Sequence, residues 1–205
     1  MRALSPDDIQ NLHEYELSRP EFRVRVIEAK RRRRTPLGPL LTLVFENRDT
    51  VRFQIQEMLR VERIVRPERV QHEIDTYNEL LPGPGELAAT LFIEITDASR
   101  IQSVLDGFIG LDEPGHLTLR IGASEYPALF APGQSREDRI SAVHYIRFSP
   151  GEEGRRALVS GARAELEVRH GEYHARQALP PETVAELIGD LSDSPYEASR
   201  ARPVH

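Results

Sequence analysis

Three features of the sequence predict an α+β fold, helix-rich in its N-terminal half and built on an antiparallel or mixed sheet in its C-terminal half. Apolar residues recur at helical spacing before residue 82, as in Val70, Ile74, Tyr77 and Leu81. Pro82-Gly83-Pro84-Gly85 then forms a firm loop. Beyond Gly115 the periodicity shortens to that of strands, so helices and strands are segregated along the chain and do not alternate.

Ser5-Pro6-Asp7-Asp8 opens a first helix, with a capping serine, a proline suited to the first turn and acids that complement the dipole. It is expected to end near Ser18. A second helix is expected from Pro20, with Phe22, Val26 and Ala29 on one face, stopped by Pro36 and Gly38. Residues 40–46 are apolar and read as a buried strand. Residues 51–65 read as an amphipathic helix capped by Asp49 or Thr50, and Pro67 begins another. Residues 87–96 read as a central strand, and Asp97 caps a short helix carrying Ile101, Val104, Leu105 and Phe108. A hairpin is expected around Gly122, a polar loop at 135–138 and a strand at 141–148. One or two helical turns follow at 152–159, a hairpin around Gly171 and a last helix at 181–191. The reading is one compact domain over 1–191, with a weak boundary near 112–115 as the alternative and a flexible tail at 192–205.

Composition narrows the function classes. A 205-residue chain with 39% hydrophobic and 29% charged residues is long enough to bury a sizeable core. It holds no cysteine, which excludes disulfides and clusters ligated by its own thiolates. No apolar run approaches a membrane span, and the start MRALSPDDIQ has no apolar signal core, so the expected compartment is the cytoplasm. The cations are arginines apart from Lys30. Residues 1–70 carry a net charge of +4 and the remainder −10, an asymmetry able to steer an anionic partner to one end. Neither phosphate-cradling glycine motif occurs, and there is no Gly-x-Ser-x-Gly nucleophile elbow.

Four sets of residues are candidates for function. Glu62 falls in the middle of the apolar stripe formed by Val51, Ile55, Met58 and Val65, at about 100° per residue. A carboxylate there must be paired, hydrogen-bonded or protonated, which makes it a buried-acid candidate with Gln54 at the stripe's edge and Tyr77 on the next helix. His144, His170 and His174 lie on strands that could be neighbours, and three converging imidazoles would suit zinc or iron. Tyr145 and Arg147 point to the opposite face, where they could bind an anion. Arg31, Arg32, Arg33 and Arg34 are candidates for phosphate contact, although nucleic acid is disfavoured by the acidic chain and the lack of nearby aromatics. Glu68, His72, Asp75 and Glu79 share one charged face and read as solvated.

The chain also carries blocks of a known family. Leu43-Val44-Phe45-Glu46-Asn47-Arg48-Asp49-Thr50, followed by residues 54–64, resembles the central motif of a bacterial family of unknown function, DUF3501. Tyr77-Asn78-Glu79-Leu80-Leu81-Pro82, residues 87–94 and Val143-His144-Tyr145-Ile146-Arg147-Phe148 continue the likeness across most of the chain. The resemblance supplies no activity and no catalytic residues. It implies a place beside rubrerythrin-like and iron–sulfur oxidoreductase proteins, in redox or peroxide handling. The expected function is therefore an accessory or binding protein in that setting. The alternatives are a metal-binding protein or metal-dependent enzyme using clustered His and Glu, and an anion or RNA binder using the arginine run.

Overall fold

The computed structural model describes residues 1–133, 135–136 and 139–192; the expected tail beyond 192 lies outside them. A 3-10 turn at Pro6–Asp8 precedes α1 (Leu12–Arg33), β1 (Arg34–Leu37), β2 (Leu41–Glu46), α2 (Arg48–Val61) and α3 (Pro67–Asn78). Then come β3 (Leu87–Ile93), a 3-10 turn at Ala98–Arg100, α4 (Ile101–Asp106), β4 (Leu117–Ile121), β5 (Ser124–Pro127) and β6 (Leu129–Phe130). The two-residue strands β7 (Ser135–Arg136) and β8 (Arg139–Ile140) pair where a polar loop was expected. The chain finishes with β9 (Val143–Phe148), α5 (Gly151–Val159), β10 (Ala164–His170), β11 (Tyr173–Ala178) and α6 (Pro181–Ser192).

The fold is α+β. One sheet runs β1-β2-β3-β9-β6 and the other β11-β10-β4-β5, with every pairing antiparallel. Alternation along the strands builds the core. Leu41, Leu43, Phe45, Leu91 and Phe148 of the first sheet join Leu117, Leu119, Leu166 and Val168 of the second in one buried cluster. The intervening residues of the first sheet turn to the opposite face. There a second cluster forms from Val51, Ile55 and Leu59 of α2, Ile74 of α3 and Leu80 beyond it, with Tyr145 packed against it. The β3–β9 ladder, from Leu87↔Phe148 to Phe92↔Val143, joins the two halves across residues 112–115.

Two expectations about the first helices change. Pro20 lies inside α1, which runs unbroken for 22 residues. The proline removes one backbone donor, but it sits on the exposed side of the helix. On the other side Tyr15 and Phe22 meet edge-to-face, Phe22 meets Phe53 of α2 in the same way, and the Arg19 fork closes on Glu57 at 2.7 and 2.9 Å. Tertiary packing thus carries α1 through the break. Pro36 does not stop a helix either. It lies in β1, an edge strand, where a missing N–H costs no ladder bond. Gly38, at φ 75°, makes the following turn, and the Tyr173 hydroxyl donates to the Leu37 carbonyl at 2.7 Å, tying the two sheets together there.

The arginine run is structural. Each side chain meets an acid: Arg31 with Glu28, Arg32 with Glu28 and Glu186, Arg34 with Glu94. Arg33 is 2% exposed and pairs with Asp190 at 2.6 Å and Glu186 at 2.7 Å, clamping α1 to α6. The anion-binding expectation for Arg31, Arg32, Arg33 and Arg34 thus meets side chains that are already paired with carboxylates. Arg33→Met should lower unfolding free energy by about 3–5 kcal/mol, the cost of breaking a buried pair. Urea denaturation checks this, and a loss under about 1 kcal/mol would show the clamp to be dispensable.

Candidate functional site

The side chains that come together lie on the helix-covered face of the first sheet. In register, Glu46 of β2, Ala88 of β3 and Arg147 of β9 form one row across three strands, with Val44, Thr90 and Tyr145 in the next. Ala88 and Thr90 are small, so the sheet leaves a hollow between the two charged residues, which are separated by two strand spacings of about 4.8 Å each. Thr76, Tyr77 and Leu80 from α3 and the segment after it wall the hollow from one side, and Leu129, Phe130, Ala131 and Pro132 from the other. The result is a cavity of about 590 Å³ with a mainly apolar lining.

Glu46 is the buried acid of this protein, at 4% exposure. Thr90 donates its hydroxyl to one carboxylate oxygen at 2.7 Å, and Thr50 donates to the other. Asn47 caps α2 directly after it, accepting from the Thr50 N–H at 2.9 Å, so the carboxylate sits beside a helix N-terminus. On the far side of Ala88, Arg147 donates to Glu86 at 2.9 Å and to the Glu79 carbonyl at 2.6 Å. Burial raises the Tyr77 hydroxyl above its ordinary range, reinforced by Tyr145, Glu73 and Glu62.

The buried-acid expectation is thereby corrected in residue but not in kind. Glu62 is exposed. α2 stops one residue before it, because Arg63 takes a left-handed conformation at φ 52° and the Ile64 N–H reaches back to the Leu59 carbonyl at 2.9 Å. This helix-ending motif turns Glu62 out and folds Ile64, 5% exposed, into the core in its place. Gln54 is half-buried on α2 and is not among the cavity residues, whereas Tyr77 is. Tyr145 and Arg147 face the cavity, as the alternation of β9 required. Glu46 is not among the residues that the sequence singles out; its place at the end of the apolar run 41–46 is the one local signal.

The three histidines do not converge. His144 belongs to the first sheet, with 0% exposure, and its Nε2 meets the Ser141 carbonyl at 2.8 Å. In the β10–β11 hairpin Arg169 stands opposite His174 and His170 opposite Tyr173, so the pleat sends His170 and His174 to opposite faces. His170 instead meets His116 edge-to-face, with centroids 4.8 Å apart. Among the described residues no group of three or more His, Asp or Glu is placed to hold a metal ion, so the zinc or iron expectation is corrected for His144, His170 and His174.

Comparison with known proteins agrees with the fold and adds no activity. A model of the family described as "Protein of unknown function (DUF3501)" matches residues 3–191. No curated protein matches. A crystal structure of a protein of unknown function from Burkholderia pseudomallei K96243 is similar at 31% identity and a TM-score of 0.85, over 93% of this chain and 100% of that one. No helix among the described residues is long and apolar enough to cross a membrane.

Two outcomes test the buried polar groups of the first sheet. Thr90→Val should destabilise by about 1.5–3 kcal/mol, because a buried carboxylate loses a hydroxyl donor; a change below about 0.5 kcal/mol would remove Thr90 from the account. Burial holds the His144 imidazole below its ordinary value of 6.5. The unfolded chain therefore takes up a proton first, and stability is full above pH 6.5 and declines as pH falls through the window below it. His144→Phe should abolish that part of the pH dependence in denaturation series, and an unchanged slope would contradict it.

Proposed function

Because the chain belongs to the DUF3501 family, from which no activity can be inherited, we propose that it is a binding protein whose site is the cavity between α3 and the first sheet. One observation carries this reading. A cavity of about 590 Å³ with a mostly apolar lining also presents a buried acid, two tyrosines and an arginine. An apolar cleft or cavity of roughly 300–1,000 Å³ with a few convergent polar groups is the usual form of a small-molecule site.

Binding is favoured over catalysis by how the polar groups are engaged. Glu46 spends both oxygens on hydroxyls, and Arg147 is held by Glu86 and the Glu79 carbonyl. Groups held in this way orient a ligand well and move protons poorly. The accessory role beside rubrerythrin-like and iron–sulfur proteins, and the cytoplasmic setting, are proposed on the family resemblance and the cysteine-free composition.

Filling the hollow tests the reading. A library of small apolar fragments screened by ligand-observed NMR should yield binders that compete for one site. Ala88→Leu, which projects into the row between Glu46 and Arg147, should weaken them at least about tenfold while the protein stays folded. Fragments that bind Ala88→Leu as well as wild type would place the site elsewhere.

A further inference from the structure

We propose that the ligand of this cavity is an organic cation: a small apolar or aromatic body bearing a protonated amine, with the amine seated at Glu46. The proposal rests on the binding-site reading above and concerns the charge the site selects. The two formal charges flanking Ala88 are not equivalent. Arg147 is already neutralised by the Glu86 carboxylate at 2.9 Å, and the Glu79 carbonyl takes a further donor. Glu46 is 4% exposed, and among the described residues no cation pairs with it. Its partners are two neutral hydroxyls.

A carboxylate offers about four acceptor positions, so the two threonines leave about half of its capacity unused. A buried charge of this kind is costly without a counter-charge, and an ammonium group arriving from the cavity would supply one together with charge-assisted hydrogen bonds. The remainder of the lining fits the same ligand. Tyr77 and Tyr145 offer aromatic faces to a cation, and Leu80 and Leu129 offer apolar contact. An anionic ligand would meet Glu46 without a free cation to balance it.

Three probes of nearly the same shape separate the outcomes: 2-phenylethylamine, 2-phenylethanol and phenylacetate, titrated at pH 7 and low ionic strength with affinities read by NMR. The amine should bind at least about tenfold tighter than the alcohol, and the carboxylate weakest. Glu46→Gln should bring the amine to the alcohol's affinity and leave the alcohol unchanged. Equal affinity for amine and alcohol, or tighter binding of phenylacetate, would overturn the cation assignment and leave the binding cavity standing. Failure of all three to bind would overturn both. An amine preference that persists in Glu46→Gln would also overturn the assignment, because another group would be the anchor. If that variant does not fold, the wild-type ranking of the three probes decides the question without it.

Discussion

The Glu46 carboxylate is the constraint around which the helix-covered face of the sheet is organised. It ends β2, receives a hydroxyl from Thr90 on the neighbouring strand and another from Thr50 on α2, and lies next to the residue that caps α2. One buried acid thereby ties strand pairing, helix start and cavity wall together. Replacing it by an apolar residue would leave two buried hydroxyls without their acceptor, so the polar group and its partners stand or fall as a set. Fixing α2 in this way also fixes the layer that α3 completes, and the hollow above Ala88 lies under α3.

The remaining large interactions hold that layer in register with the rest of the molecule. Arg33 clamps the C-terminal end of α1 to α6 through Asp190 and Glu186. Glu57 accepts from Tyr15 and from the Arg19 fork, which lowers its carboxyl to about 2 and fastens α1 to α2. The outward face of the second sheet is a charge ladder in which Arg120 and Arg169 flank Glu167 and Arg163 and Arg176 flank Glu165. Arg163, Arg169 and Arg176 are exposed and Arg120 half-buried, and such surface pairs individually contribute little to stability. Charge on that face is self-compensated, whereas the negative charge in the cavity is not.

Periodicity made the fold class and most element positions legible, because α1 to α3 keep the helical repeat and most strands beyond residue 115 keep the two-residue one. It failed where tertiary contacts override local signals. Pro20 is absorbed by a helix held from outside, and Pro36 fits an edge strand that no local pattern distinguishes from a helix stop. Glu62 shows the same limit at a site. Its place on the stripe assumed a helix reaching residue 65, and a single left-handed residue, Arg63, ended it earlier. The histidines looked convergent because strand neighbours are easily guessed, while the pleat that separates His170 from His174 depends on register. Glu46 was hidden for a different reason: its burial depends on Thr90, forty-four residues away, and no local window contains both.

The most direct test of the binding cavity is a methyl-resolved NMR titration with 2-phenylethylamine and 2-phenylethanol, following alanine, leucine and isoleucine methyls. The account predicts shifts concentrated at Ala88, Leu80 and Leu129, with Leu119 and Leu166 between the two sheets unmoved. Shifts centred on any other surface, or none at saturating probe, would contradict it.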